Sequence, residues 1–290
     1  MKDLEKILAH LPPELVEKIK DREKSTESIY SAVREAERLN GAPGNLQGQD
    51  CPICRNKGIV YLEKGGTVVS RECECMAIRR SQEQIRRSGL SQIMREYRFD
   101  NYQTLEEWQQ KFRAGALQYL KDHDHKWFFA GGQPGVGKTH ICTALAAQFL
   151  KKGIAARYML WKEESVMLKA AVKDGEEYAR LVNPLKRVAV LYIDDLFKGG
   201  KDEFGQKRQP TIGDINLAFD IFNYRYVNNL PTIISTERTI EEILEIDEAT
   251  GSRIYQRSRE YCFSFDTDRT KNFRLRACGA PAVGISRTRR

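Results

Sequence analysis

The feature that most restricts the fold of this chain is an eight-residue stretch from Gly132 to Thr139, with the sequence GQPGVGKT. It satisfies G-x-x-x-x-G-K-[ST] at every fixed position, directly after a strand-like run and directly before an amphipathic helical pattern. Glycines let the backbone wrap closely around phosphates, and the helix that follows offers unpaired N–H donors. The stretch therefore predicts a binding site for a nucleoside triphosphate, which we take to be ATP with Mg²⁺.

The residues of this loop have separate expected roles. The predicted nucleotide-binding residues are Gly132, Gln133, Pro134, Gly135, Val136, Gly137, Lys138, Thr139 and His140. We expect Lys138 to neutralise the β- and γ-phosphates and the Thr139 hydroxyl to bind Mg²⁺. An ordinary glycine-rich turn is the alternative, and the position between a strand and a helix argues against it.

A phosphate loop also needs a carboxylate at the end of a neighbouring strand to hold the metal. The apolar run VAVLYI ends in Asp194 and Asp195. Asp194 is expected to position Mg²⁺, and Asp195 to orient the attacking water as a general base. An apolar strand that ends in an acidic residue is common by itself, so this prediction depends on the loop upstream.

The organisation of the chain indicates two domains, at residues 1–90 and 91–290, in 290 residues. The second domain alternates short apolar runs with helical patterns, which is typical of an α/β fold with a parallel sheet flanked by helices. No apolar run reaches the roughly 20 residues of a membrane helix, and the N-terminus lacks the apolar centre of a signal peptide. We therefore expect a cytoplasmic protein that makes no membrane contact.

The net charge of +8 favours approach to polyanions such as nucleic acids. Basic surfaces also serve solubility, so charge alone leaves nucleic-acid contact open.

Four cysteines fall within a short window, as Cys51-x-x-Cys54 and Cys73-x-Cys75. The segment between them, GIVYLEKGGTVVS, is hairpin-like, with a Gly-Gly turn between β-branched residues. Tetrahedral zinc sites with four thiolates use two close pairs brought together across such a turn. The pattern predicts a structural zinc site in a small helical domain, and reduced core thiols are the alternative.

Two further groups of polar residues follow the metal strand. The apolar run PTII is followed by Ser235, Thr236 and Glu237, which would lie between the two phosphate-handling strands. Arg253 and Arg257 lie four residues apart, hence on one helix face. An arginine from a neighbouring subunit can stabilise the charge of phosphoryl transfer. Helix capping and a solvated ion-paired face are the respective alternatives.

Taken together, these stretches and several others resemble one family. The chain is similar to the bacterial replicative helicase loaders of the DnaC/DnaI type, which are AAA+ ATPases, and most similar to their phage-borne forms with a zinc-bearing N-terminal domain. The residues that carry the resemblance are SGL (88–90), RFDNY (98–102), GVGKTH (135–140), IDD (193–195), NYRY (223–226) before PTIIST, GSRIYQR (251–257) and NFR (272–274).

The resemblance implies roles that the residues alone do not. Ser235 or Thr236 would be the first sensor of the γ-phosphate, Arg253 or Arg257 the finger that completes a neighbour's site, and Arg274 the second sensor. Glu237 stands where the family usually has Asn. The basic residues of the long 197–214 loop, directed either toward single-stranded DNA or into solvent, are Lys198, Lys201, Lys207 and Arg208.

The resemblance also implies a function. We expect an ATP-dependent loader that binds a hexameric replicative DNA helicase through residues 1–90 and single-stranded DNA through its AAA+ domain. It would self-associate through that domain and hydrolyse ATP slowly. The alternatives are a transposition-helper ATPase that binds duplex DNA, and a non-catalytic adaptor in which the nucleotide is structural.

Overall fold

The protein divides into two compact units, Met1–Arg79 and Arg80–Arg290, in a computed structural model that describes residues 13–48, 50–87, 90–200 and 202–276. The division falls after Arg79, whereas the sequence placed the domain boundary after residue 90. Ser88 and Gly89 of the SGL stretch, Lys201 of the basic loop and Cys278 lie outside the described residues.

The first unit consists of a helix, a hairpin and the start of a second helix. These are α1 (Pro13–Gly41), β1 (Ile59–Lys64), β2 (Thr67–Glu72) and α2 (Cys75–Arg87), which continues into the second unit. Helix α1 begins at a proline, which lacks only an N–H that the first helical turn leaves unpaired. The strands are antiparallel, and Gly65 and Gly66 between them have φ of 60° and 79°. Both angles suit a two-residue turn, so the predicted hairpin is confirmed.

The second unit contains a five-stranded sheet with helices around it. Its strands are β3 (Trp127–Gly132), β4 (Ala156–Leu160), β5 (Val190–Asp194), β6 (Thr232–Ser235) and β7 (Cys262–Phe265). Its helices are α3 (Leu90–Glu96), α4 (Glu107–Tyr119), α5 (Lys138–Lys151), α6 (Trp161–Ala171), α7 (Gly175–Arg187), α8 (Ile212–Val227), α9 (Ile240–Ile246), α10 (Glu248–Ser258) and α11 (Phe273–Arg276).

All neighbouring strands of this sheet are parallel, in the order β4-β5-β6-β3-β7. Side chains along β3 alternate between two hydrophobic cores: Phe128 packs with α4 and α5 on one face, and Trp127 and Phe129 pack with α8 on the other. Burial on both faces explains the continuous apolar strands. The predicted α/β class with a parallel sheet flanked by helices is confirmed, and β6 lies between β3 and β5 as expected.

One fully buried charge stands out in the NYRY stretch. Arg225 on α8 donates to the carbonyl oxygens of Leu185, Val188 and Pro231 at 3.0, 2.9 and 2.5 Å, and to Thr232 Oγ1 at 2.9 Å. Its guanidinium therefore joins the end of α7 to the start of β6. This residue holds the sheet and does not touch the nucleotide loop.

Among the described residues, no helix is both long and apolar enough to cross a lipid bilayer.

Candidate nucleotide site

The loop between β3 and α5 is built on glycines that no other residue could replace without strain. Gly132, Gly135 and Gly137 have φ of 93°, 84° and 87°, in the region that side-chain-bearing residues rarely adopt. A Cβ atom on Gly132 would lie 2.1 Å from the carbonyl oxygen of Phe265. The loop is thus fixed in shape by its own backbone and by contact with β7.

Lys138 begins α5 and turns back into this loop. Its Nζ donates to the carbonyl oxygens of Gly132 and Gln133 at 2.8 and 2.6 Å, and the residue is buried. Burial lowers the pKa of its ammonium from 10.5 to about 8. A desolvated cation held only by carbonyl oxygens is suited to a phosphate, which supplies the missing negative charge.

Asp194 ends β5 beside the first residues of α5. The Thr139 hydroxyl lies 3.4 Å from its Oδ1, the Tyr158 hydroxyl donates to Oδ2 at 3.1 Å, and Ser235 Oγ also donates to Oδ1. Burial raises the pKa of this carboxyl, and the hydroxyl donors oppose that effect. Carboxylate and hydroxyl oxygens are ligands that Mg²⁺ accepts, so Thr139 and Asp194 form a fitting donor pair.

Asp195 begins a tight turn and faces the cavity. Its φ is 59°, which is uncommon outside glycine, and its Oδ2 accepts from Lys198 Nζ at 2.8 Å. Lys198 Nζ also lies 3.1 Å from Glu237 Oε1. Burial lowers the pKa of Lys198, but the two carboxylates outweigh burial and raise it above its usual value. Lys198, which the sequence placed in a basic loop, lies among the nucleotide-site residues.

The two candidate sensor residues point in different directions. Ser235 donates to Asp194, and its Oγ lies 3.4 Å from the Asp195 backbone nitrogen. The Thr236 hydroxyl instead donates to the carbonyl oxygen of Leu196 at 2.7 Å and accepts from the Arg238 N–H at 3.1 Å. The structure therefore brings the hydroxyl of Ser235, and not that of Thr236, to the Asp194 carboxylate.

A cavity of about 260 Å³ lies beside the loop. Its lining comprises Tyr97, Asn101, Tyr102, Gln103, Gln109, Pro134, Gly135, Val136, Gly137, Lys138, Thr139, His140, Asp195, Lys198, Glu237, Phe273 and Arg274. A space of this size beside the loop accommodates the rest of a nucleotide. The lining runs from Tyr97, directly after α3, to Arg274 on α11. Arg274 is the residue that the resemblance makes the second sensor.

Part of the cavity lining is aromatic. His140 stacks on Tyr97 with ring centroids 4.8 Å apart, meets Tyr102 edge-on at 5.3 Å, and donates through Nε2 to the Arg98 carbonyl oxygen at 2.8 Å. Burial lowers the pKa of the imidazole. A flat apolar wall suits a nucleobase. Tyr97 was not predicted as a site residue; Tyr102 belongs to the RFDNY stretch, which was the available signal.

The loop is also tied to the C-terminal segment. Gln133 Nε2 donates to the Asp268 carbonyl oxygen at 2.6 Å, and its Oε1 accepts from the Asp268 N–H. The Phe273 N–H donates to the Gly135 carbonyl oxygen at 2.9 Å. Gln133 thus anchors the segment that carries Arg274, a role that its variable position in the motif does not reveal.

Arg253 and Arg257 on α10 do not line the cavity of their own chain. Arg257 donates to the carbonyl oxygen of Tyr226 at 2.8 Å and to Asn229 Oδ1 at 2.5 Å. Arg253 donates to the Ala249 carbonyl oxygen of its own helix at 2.6 Å, and its guanidinium lies 5.1 Å from the centre of the Phe219 ring. Arg257 is therefore hydrogen-bonded to other elements, whereas Arg253 is hydrogen-bonded within its own helix and packs over the Phe219 and Tyr226 rings of α8.

The four N-terminal cysteines converge in the first unit. Their sulfur atoms lie within 4.8 Å of one another, with Cys51–Cys73 at 3.8 Å and Cys54–Cys75 at 3.5 Å. Zinc bound tetrahedrally by thiolates at about 2.3 Å requires sulfur separations of about 3.8 Å. The Gly58 N–H points at Cys54 Sγ, 3.3 Å away. The donor set and its spacing fit zinc.

Comparisons with known proteins agree with this geometry. A family model described as IstB-like ATP binding protein matches residues 51–262. The uncharacterized protein YqaM of Bacillus subtilis is 35% identical over 216 residues, 71% of this chain and 67% of that protein. The replicative helicase loader DnaC of Escherichia coli is 27% identical over 194 residues, 66% of this chain and 73% of that protein.

A crystal structure of the DnaC helicase loader covers 60% of this chain and 97% of that chain, with 22% identity and a TM-score of 0.47. The chain belongs to the IstB/DnaC-like family of ATP-binding proteins, and its second unit is the P-loop domain of that family.

Proposed function

We propose that this protein is an ATP-dependent loader that binds a replicative DNA helicase and single-stranded DNA and delivers the helicase during replication initiation. The observation that carries the proposal is that Lys138, Thr139 and Asp195 line one cavity, with Asp194 Oδ1 3.4 Å from the Thr139 hydroxyl, in a chain that is similar to a replicative helicase loader over two thirds of its length.

Hydrolysis of ATP would use the groups at the carboxyl edge of the sheet. Thr139 and Asp194 would hold Mg²⁺, which would supply positive charge to the phosphates, and Lys138 would neutralise the charge of the β- and γ-phosphates. Asp195 accepts the proton of the attacking water. Ser235, which donates to Asp194, reports the state of the metal site and takes the sensor role that the sequence divided between Ser235 and Thr236.

A second subunit completes the site in this proposal. Arg253 or Arg257 of one protomer reaches the γ-phosphate of its neighbour, which requires self-association through the ATPase domain. Arg253 is the better candidate because, among the described residues, its guanidinium makes no hydrogen bond to another element, whereas that of Arg257 is bonded to Tyr226 and Asn229. Arg274, which lines the cavity of its own chain, acts as the second sensor.

The N-terminal region, residues 1–90, binds the helicase in this proposal. Zinc held by Cys51, Cys54, Cys73 and Cys75 would give this small region a fixed shape, because, in the part of the chain that the structure describes, the buried cluster around these thiols adds only Val60. Tyr30 and Ile53 are 65% and 60% exposed, which gives this unit apolar side chains for a protein partner.

The 197–214 loop contacts single-stranded DNA in this proposal. Asp202 Oδ1 accepts from the backbone N–H groups of Phe204 and Gln206 at 3.0 and 2.8 Å, and this turn leaves Phe204 80% exposed. An exposed aromatic ring on a structured basic loop is suited to stacking on a base.

The loader proposal is tested by size-exclusion chromatography with the cognate helicase, with and without ATP and single-stranded DNA. We expect co-elution with the helicase in one nucleotide state and loss of that nucleotide dependence in Lys138→Ala. Absence of a complex in every nucleotide state would contradict the loader function. A preference for duplex over single-stranded DNA would favour the transposition-helper alternative instead.

The DNA contact has a separate test. Phe204→Ala should weaken single-stranded DNA binding by about tenfold, the effect of losing one stacked base. Leu105→Ala is the matched control, because Leu105 is 75% exposed and lies outside the loop. Equal affinities for the two variants and the parent chain would remove Phe204 from the DNA surface.

A further inference from the structure

The nucleotide cavity contains a second lysine that the P-loop motif does not account for. Lys198 lines the same cavity as Lys138 and Thr139, and its side chain is 37% exposed. Its Nζ lies 2.8 Å from Asp195 Oδ2 and 3.1 Å from Glu237 Oε1. One ammonium thus stands between two carboxylates, directly beside the residue expected to activate water.

The turn that carries Lys198 is held in place by the core. Leu196 and Phe197 are buried, and the Lys198 N–H donates to the Asp195 carbonyl oxygen at 2.9 Å. Asp195 and Phe197 have φ of 59° and 54°, which is unfavourable for residues with a side chain. Such backbone persists only where surrounding contacts determine it, and here it directs the Lys198 side chain into the cavity.

The charges around Lys198 define which ligand it suits. Asp195 and Glu237 together carry two negative charges against one ammonium, and both line a cavity built for phosphate. Carboxylates there repel a triphosphate unless a cation shields them. A phosphate oxygen entering this space can accept a hydrogen bond from Nζ, which has three donors and is not confined to two partners.

The position of Lys198 relative to the end of β5 indicates which phosphate of the nucleotide it would contact. Thr139 and Asp194 are the residues that would hold Mg²⁺ here. Asp195, the residue expected to activate the water that attacks the γ-phosphate, accepts from Lys198 Nζ at 2.8 Å, so Lys198 lies where the γ-phosphate would be attacked. A diphosphate has no group that reaches this point.

We propose that Lys198 binds the γ-phosphate of ATP and thereby distinguishes triphosphate from diphosphate. Without nucleotide its ammonium pairs with Asp195 and Glu237. With ATP bound, the γ-phosphate accepts a hydrogen bond from the ammonium, and the ion pair with Asp195 weakens. This inference rests on the proposed function only in requiring that ATP occupies the cavity, and not on helicase or DNA binding.

The test measures the affinities of a non-hydrolysable ATP analogue and of ADP, both with Mg²⁺, for the isolated full-length chain. Lys198→Met should weaken analogue binding by about tenfold or more, the usual effect of losing a hydrogen bond to a charged group, while ADP affinity stays within about twofold. Lys111→Met is the matched control: Lys111 is exposed and pairs with Glu107 outside the cavity, and neither affinity should change.

Two further variants separate a phosphate contact from simple shielding. Lys198→Gln keeps a polar side chain without the charge and should also weaken analogue binding, which guards against misfolding of one variant. In Lys198→Met with Glu237→Gln the repelling carboxylate is removed. Full recovery of the analogue preference in this double variant would show that Lys198 merely neutralises Glu237, and would overturn the proposal.

The outcomes also separate this proposal from the function it builds on. An analogue affinity unchanged in Lys198→Met, or weakened equally with that of ADP, overturns the role of Lys198 and leaves the loader function untouched. A parent chain that binds neither nucleotide would remove both.

Discussion

The cysteine cluster and the nucleotide cavity are held together by opposite means. All four thiols come from the segment Cys51–Cys75, and the buried core around them contains only Val60 besides cysteine. The cavity gathers side chains from Tyr97 to Arg274 on a sheet with a large core on each face. The first site is local in sequence and poor in packing, whereas the second is distributed in sequence and rich in packing.

The difference teaches which site needs its ligand in order to exist. We expect a small unit with so little apolar core around its cysteines to depend on a metal for its fold, because binding free energy is then folding free energy. The nucleotide loop is fixed by glycine backbone, by Gln133 and by the strands beside it, so ATP enters a site already formed. Loss of the ligand should therefore unfold the first region, whereas it should leave the second region folded.

The largest expected effect is the loss of zinc from the first unit. Structural zinc contributes about 10–16 kcal/mol to folding in small zinc domains, so Cys54→Ser should abolish stoichiometric zinc and leave residues 51–75 open to protease. Zinc content and limited proteolysis measure both. Cys142→Ser, which alters a buried thiol of the other unit, should keep the metal. Resistance of the Cys54→Ser chain to protease would mean that packing alone suffices there.

Next in size is the buried guanidinium of the second unit. Arg225→Met removes the donor shared by the carbonyl oxygens of Leu185, Val188 and Pro231, and should lower the free energy of unfolding by about 3–5 kcal/mol. Chemical denaturation of this unit measures the change. The control is Arg180→Met, because Arg180 forms an exposed pair with Glu177 and should change stability by less than about 0.5 kcal/mol.

Replacing the carboxylate of Asp194 should affect catalysis and not stability. Asp194→Asn keeps the shape of the residue but removes charge from the proposed Mg²⁺ site, so turnover should fall by about a hundredfold or more. A steady-state ATPase assay measures it, with Asp220→Asn as control, since Asp220 pairs with Lys186 away from the cavity. Unchanged turnover in Asp194→Asn would place the metal elsewhere.

The smallest effect concerns pH. Burial lowers the pKa of Lys138 to about 8 in the nucleotide-free protein, so above that pH the amine is neutral and must take up a proton when phosphate binds. ATP affinity should fall by up to about tenfold per pH unit above 8. Calorimetry in two buffers of different ionisation enthalpy should detect the proton uptake. Lys138→Arg keeps its charge throughout, and its affinity should not follow this trend.

The same group has the opposite effect on folding without nucleotide. In the unfolded chain Lys138 stays protonated up to its usual pKa of 10.5. Between about pH 8 and 10.5 the unfolded state therefore binds more protons than the folded state, and the contribution of Lys138 to the free energy of unfolding rises with pH.

Sequence patterns predicted the parts of the site that local chemistry determines. The loop residues Gly132–Thr139, the metal carboxylate Asp194 and the cysteine pairs each have a recognisable spacing, and the structure brings together the members of each group. The strand β6 could be placed between β3 and β5 because parallel strands with continuous apolar runs form one sheet.

The remaining residues could not be found in this way because tertiary contacts decide their roles. Tyr158 lies within an apolar strand, and its hydroxyl reaches Asp194 only because β4 pairs with β5 in the register that aligns Leu160 with Asp194. Lys198 resembles any loop lysine until the positive φ angles at Asp195 and Phe197 direct it into the cavity. Neither residue is a glycine, so the sequence gives no sign of these backbone angles.

Hydrogen exchange on the full chain tests the contrast between the two regions most directly. A zinc chelator should remove protection from residues 51–75 and leave the β3–β6 sheet protected. A non-hydrolysable ATP analogue with Mg²⁺ should instead raise protection at residues 132–139, 97–103 and 268–274. Unchanged exchange at 51–75 after chelation would contradict a metal-dependent first unit, and no added protection at 132–139 with the analogue would contradict nucleotide binding at this loop.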